Sequence, residues 1–184
     1  MDRALKTILI SLLVFVAAPV CAFFAYDRLV FQPRLPAVHA LLARADPEDR
    51  EPPPLIQHLI AAMHTGASSP SVPVARSLLF KVHPHPTSGP LGWHPRFALW
   101  QALVSLHLSE AEIIGLYSSL AYNGTDHGLN KLSLRTFHKP LSALSAKEAA
   151  TVVATAWGPS YYARHPDKLA ARRDKLLAAV QHGP

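Results

Sequence analysis

The sequence predicts an all-α domain behind a single N-terminal transmembrane helix. Thr7 to Tyr26 reads TILISLLVFVAAPVCAFFAY, twenty residues without a charge. A bilayer core needs about 20 apolar residues as helix. Two capping boxes, Ser109 with Glu112 and Ser145 with Glu148, mark helix starts. In such a box the cap hydroxyl and the later carboxylate each satisfy an N–H group that the helix leaves open. Elsewhere apolar residues recur at helical spacing, and strand patterns are few. Seven or so helices are expected.

The first six residues form a cytoplasmic tail in this reading, because Arg3 and Lys6 precede the apolar run. The chain beyond the anchor, residues 7–26, then lies outside the cytoplasm, at the inner (plasma) membrane. Arg28 and Arg34 follow the run and act against that orientation. The rival reading is a cleaved signal peptide, with Val20-Cys21-Ala22 as a small-residue cleavage site. Phe23 and Phe24 extend the run past that site, which favours an uncleaved anchor. A buried core helix is seldom apolar all round over this length.

Residues 27–54 read as a linker with one leading helix. Val38, Leu41 and Leu42 share a helical face within Pro36 to Arg44. ADPEDREPPP, 45–54, is an acidic, proline-rich break. Leu55 to His64 is a short apolar helix, GASSPSVP is loop chemistry, and Val74 to Val82 gives one or two helical turns. HPHPTSGPLGWHP, 83–95, reads as a turn-rich loop, and Arg96 to Leu108 as a buried helix. The first capping box opens a helix with Ile113, Ile114, Leu116 and Tyr117 on its apolar face. Asn123-Gly124 and His127-Gly128 mark a loop before a weaker helix, Leu129 to Phe137. The second box opens a helix through Ala156, ended by Trp157-Gly158-Pro159. Pro166 starts a terminal amphipathic helix with Leu169, Leu176, Leu177 and Val180 on one face.

Composition narrows the function classes. Of 184 residues 49% are hydrophobic and 16% charged, which excludes a disordered chain. A net charge of +6 suits an anionic partner such as lipid headgroups or a pyrophosphate. The lone cysteine, Cys21, sits in the apolar run, so neither a disulfide framework nor a thiolate metal site is available.

From Ser109 to Leu177 the chain resembles the C-terminal half of the peptidoglycan glycosyltransferase family, the lysozyme-like transglycosylases (glycosyltransferase family 51) that polymerise glycan strands from lipid II. HLSEAEIIGLYSSLAYNGTDHG and TFHKPLSALSAKEAATVVATAWGPSYYARHPDKLAARRDKLL carry the resemblance. Phe137, Lys139-Pro140, Glu148-Ala149-Ala150, Pro159, Tyr162, Pro166, Ala170 and Arg172-Arg173 keep the family's register. Upstream, GASSPSVPVARSLL, 66–79, aligns with the family's GGSTITQQLAKNL, keeping Gly66, Ser68 and Ala75. Arg76 stands where the family has a basic lysine, and Ser71-Val72-Pro73 replaces its Thr-Gln-Gln. The resemblance implies a trimmed lysozyme-like helical domain over 55–182. It further implies that Ser68, Ser69 and Arg76 lie along a groove for the lipid pyrophosphate.

The family's reaction needs a carboxylate to take the proton of an attacking sugar hydroxyl. It also needs cations to steady the leaving phosphates. The resemblance puts the first catalytic glutamate on Glu48, within Pro47-Glu48-Asp49-Arg50-Glu51. Pro52-Pro53-Pro54 then replaces the family's Phe-x-x-His-x-Gly-x-Asp. A solvated acidic linker that happens to spell Glu-Asp is the competing reading of that segment. Counting back from Ser109, the second glutamate falls on Phe97 and a lesser acidic position on Ser105. Between Glu51 and Glu110 the sequence holds no Asp or Glu at all. The expected protein is therefore a catalytically impaired member of cell-wall synthesis, with lipid II or a glycan strand, the membrane and cell-wall synthesis proteins as partners. The alternatives are a non-catalytic lipid II- or glycan-binding scaffold and an anchored interaction module unrelated to glycan. The resemblance allows for a divalent cation and assigns it no residue.

Other constellations are weaker. His83, His85 and His94 lack a nearby carboxylate or thiol to complete a metal site. His58 and His64 are not spaced as a helical pair and read as partly buried or surface groups. A serine hydrolase has no Gly-x-Ser-x-Gly. Lys168, Arg172, Arg173 and Lys175 are interleaved with Asp167 and Asp174, a solvated face rather than a nucleic-acid surface. Asn123-Gly124-Thr125 is a formal glycosylation sequon.

Overall fold

The computed structural model describes residues 3–64, 69–82 and 90–182. Among them every regular element is a helix. The only β pairing described is an isolated bridge between Tyr122 and His127.

Helix α1, Arg3–Tyr26, is long and apolar, and its side chains from Val14 to Val20 are exposed. Phe15 is 78% exposed, which a soluble core helix does not tolerate. Val14–Ala43 is the one described stretch long and apolar enough to cross a membrane.

The helix does not stop at Tyr26, where composition places the end of the anchor. It continues as a π-helical segment, Asp27–Phe31, and a 3-10 turn, Gln32–Arg34, into α2, Leu35–Ala43. No proline or glycine interrupts the chain from Cys21 to Gln32. The π segment is fastened to α6, Pro90–His107. Buried Asp27 accepts from Gln32 at 2.9 Å and lies 2.8 Å from His107 Nε2. Trp100 Nε1 donates to the Tyr26 hydroxyl at 3.0 Å. Phe31 is 1% exposed, edge-on to Trp100 and stacked on His107.

The proline-rich break holds a one-turn helix, α3, Pro47–Arg50, with Asp46 capping it. It presses on α7, Glu110–Leu120, so closely that a Cβ on Gly115 would lie 2.4 Å from the Arg50 carbonyl oxygen. Helix α4, Pro54–Met63, buries Ile56, Leu59, Ile60 and Met63. Helix α5, Ser71–Val82, begins at the serine, with Pro73 in its first turn, and so is longer than the sequence predicts. Proline is tolerated there because first-turn N–H groups have no helical acceptor. Helix α6 likewise starts before Pro95, taking in the end of the expected loop.

Both capping boxes form. Ser109 N–H donates to Glu112 at 2.8 Å, and Ser145 N–H to Glu148 at 2.8 Å. They open α7 and α9, Ala146–Ala156. Helix α8, Leu129–Phe137, lies between them. It is followed by a 3-10 turn, Leu141–Ala143. A one-turn α10, Pro159–Tyr162, and α11, Pro166–His182, complete the chain. The core gathers Ile60, Trp100, Leu116 and Val153 from four of these helices, all fully buried. Helix α9 is packed between α4, α8 and α11.

Candidate functional site

The Glu48-Asp49 pair is not part of a solvated linker. Asp46 accepts from the Glu48 N–H at 2.9 Å, and this cap turns the two acids in opposite directions. Asp49 points inward and is 3% exposed. Its Oδ1 accepts from Ser118 Oγ of α7 at 2.6 Å and from the N–H groups of Leu129 and Asn130 at 3.0 Å each. It thus caps α8 from a distant part of the chain, where the helix dipole favours negative charge. Burial raises its carboxyl above the usual 3.8, and the Ser118 and backbone donors counter that only in part. Gly128 gives the carboxylate room. A Cβ there would lie 2.7 Å from Asp49 Oδ2, and its φ of +109° is a glycine conformation.

Glu48 points the other way, towards the 3-10 turn after α8. Its carboxylate accepts from Ser142 N–H at 2.8 Å and Ser142 Oγ at 2.6 Å. The two residues border a shallow cavity with Pro47, Arg50, Glu51 and Pro53. Each oxygen of the expected base thus accepts one hydrogen bond from the same serine.

The expected groove residues lie on another face. Arg76 is exposed on α5, with its guanidinium 5.6 Å from the Phe97 ring centroid on α6. Phe97 in turn is parallel to Trp93, which stacks on Phe80 at 5.0 Å. Ser69 Oγ accepts from Ser71 N–H at 3.3 Å and tethers the start of α5. Ser68 lies outside the described residues. No described contact joins Glu48 to Arg76 or Ser69. Phe97, where the resemblance would put a second glutamate, has no group that takes a proton.

A polar cleft that sequence reasoning missed opens beside Asp49. Its volume is about 280 Å³, and Arg44, Lys81, Lys131, Asp46, Asp126 and His127 ring it together with Asp49. Lys131 is ion-paired with Asp126. Arg44 and Lys81 have no described acidic partner. The signal that points to Asp49 is its place in the first turn after an Asp-Pro cap, but its distant donors leave no local mark.

The histidines do not gather. His58 and His94 are exposed, and His83 and His85 lie outside the described residues. His64, which the sequence suggests is partly buried or on the surface, is buried. Among the described residues no three His, Cys, Asp or Glu side chains form a metal-binding group. Asn123 of the sequon is 2% exposed and its amide is taken up in the turn. Its Nδ2 donates to Gly128 O at 3.2 Å, and its Oδ1 accepts from Asp126 N–H at 2.9 Å.

No protein-family model and no curated protein matches the chain.

Proposed function

We propose that this is a membrane-anchored, peptidoglycan glycosyltransferase-like protein of cell-wall synthesis that binds lipid II or glycan strands without polymerising them. The observation that supports it is the occupancy of the Glu-Asp pair. Ser142 takes Glu48, while Ser118 and the α8 N-terminus take Asp49. A general base must have a free lone pair within reach of the hydroxyl it activates, and Phe97 supplies none. Cationic groups without a described acidic partner lie at two places: Arg76 on α5, and Arg44 and Lys81 at the cleft that Asp46, Asp49 and Asp126 also line. These suit a pyrophosphate, which Arg and Lys recognise well. In this reading Thr7–Tyr26 is the anchor, the helical body is extracytoplasmic, and cell-wall synthesis proteins are its neighbours.

The test is glycan polymerisation from labelled lipid II by detergent-solubilised full-length protein, beside Glu48→Gln, with lipid II binding measured in parallel. Binding without polymer is the expected result. Polymer that disappears in Glu48→Gln makes the protein a one-glutamate polymerase. Neither binding nor polymer leaves an anchored interaction module.

A further inference from the structure

His64 is the anomaly of the core. It is 6% exposed, ends α4, and has no hydrogen-bond partner for either ring nitrogen among the described residues. A neutral imidazole carries one N–H donor and one acceptor, and native cores seldom leave such groups unmet. The ring stands edge-on to Tyr117 of α7, centroids 5.2 Å apart. On another side it leans on Trp157, the residue that ends α9, at 5.6 Å. Arg172 of α11 lies over the same indole, 4.5 Å from its centroid, and its Nε is also buried without a partner. Among the described residues the charged and titratable groups facing His64 are therefore Arg172 from α11 and Tyr117 from α7. From α9 comes only an indole.

This environment accepts a neutral ring and rejects a charged one. Imidazolium has two N–H donors and finds no acceptor among the described residues. It also faces the like charge of the partly buried Arg172 guanidinium, whose Nε is itself buried.

We infer that the junction is an acid-operated latch: proton uptake by His64 drives its ring out from between Tyr117 and Trp157 and loosens the end of α4 from α7, α9 and α11. Tyr117 is the shared wall. It also lines a cavity of about 200 Å³ with Pro73, Val74, Ser77, Leu120 and Ala121, so its release reshapes that cavity. The latch holds whether or not the protein binds glycan.

The direction of the pH response follows from burial and Arg172, which together hold the imidazole below its usual 6.5. Stabilisation of the closed junction is full above 6.5. It is lost as pH falls through the depressed folded value.

The experiment is a pH titration of the full-length protein in detergent, following the His64 ring protons by NMR and tryptophan emission. Both are expected to change together at a midpoint below 6.5. Trp157→Phe is expected to remove the emission change and leave the ring titration. His64→Phe keeps the ring shape and removes the proton site, and is expected to abolish the emission transition. Arg172→Gln is expected to move the midpoint up towards 6.5. A transition that persists unchanged in His64→Phe overturns the latch. So does a His64 titration with no change at Trp157, or a midpoint that Arg172→Gln leaves in place.

Discussion

Ser118 Oγ donates to Asp49 Oδ1 across 2.6 Å and ties the last turn of α7 to a one-turn helix sixty-nine residues earlier in the chain. The same oxygen caps α8. One carboxylate thus joins three helices.

Asp49→Ala leaves Ser118 and two backbone N–H groups unmet in the interior. The expected loss is at least about 3 kcal/mol, since each of the three unsatisfied buried groups costs about 1–3 kcal/mol. Asp49→Asn retains one acceptor oxygen and is expected to cost less. Urea unfolding of the solubilised protein measures both.

Asp49 also predicts a pH effect. Its folded carboxyl lies above 3.8 because burial outweighs the donors. Its contribution is therefore full below 3.8 and declines as pH rises through the folded value. Stability of the wild type relative to Asp49→Asn is expected to fall over that window. A difference that grows instead would mean that the donors outweigh burial.

Gly128→Ala is expected to be more damaging than Gly124→Ala. Both glycines have positive φ, but the new methyl meets Asp49 Oδ2 at 2.7 Å in the first case and Pro159 Cβ at 3.4 Å in the second. Backbone strain alone costs about 1–3 kcal/mol, and the carboxylate clash adds to it. Thermal unfolding of the two variants orders them.

Glu148 at the second capping box is expected to stay ionised far into acid. Lys139, followed by the Ser145 backbone and hydroxyl, lowers its carboxyl to about 2. The local stabilisation is present above the ordinary carboxylate value and lost as pH falls through about 2. Lys139→Met is expected to raise the titration midpoint seen by carboxyl NMR.

Both capping boxes were legible in the sequence because a box is written in four consecutive residues, and α7 and α9 begin at them. The apolar run was legible for the same reason. The start of α5 was not, because Pro73 reads as a breaker until Ser71 places it in the first turn. The one-turn α3 was hidden in a segment whose prolines read as a break. Asp49 and His64 were invisible for a different reason. An acid beside prolines reads as solvated and a histidine at the end of an apolar helix as partly buried or on the surface, and only packing against Ser118, Tyr117 and Trp157 makes them interior. Glu48 was legible as a residue type, but its pairing with Ser142 spans ninety-four positions.

The π-helical stretch at Asp27–Phe31 fixes an azimuth. An α-helix advances about 100° per residue, and the wider π turn resets that phase before α2 begins. Asp27 on His107 and Tyr26 on Trp100 then clamp the reset helix to α6. The apolar rod and the body therefore turn as one object, like a key and its bow. Removing a single residue from this stretch would rotate one against the other by about a quarter turn, with the hydropathy of the rod unchanged. What the rod transmits is direction, and its length in apolar residues says nothing about which way the body faces.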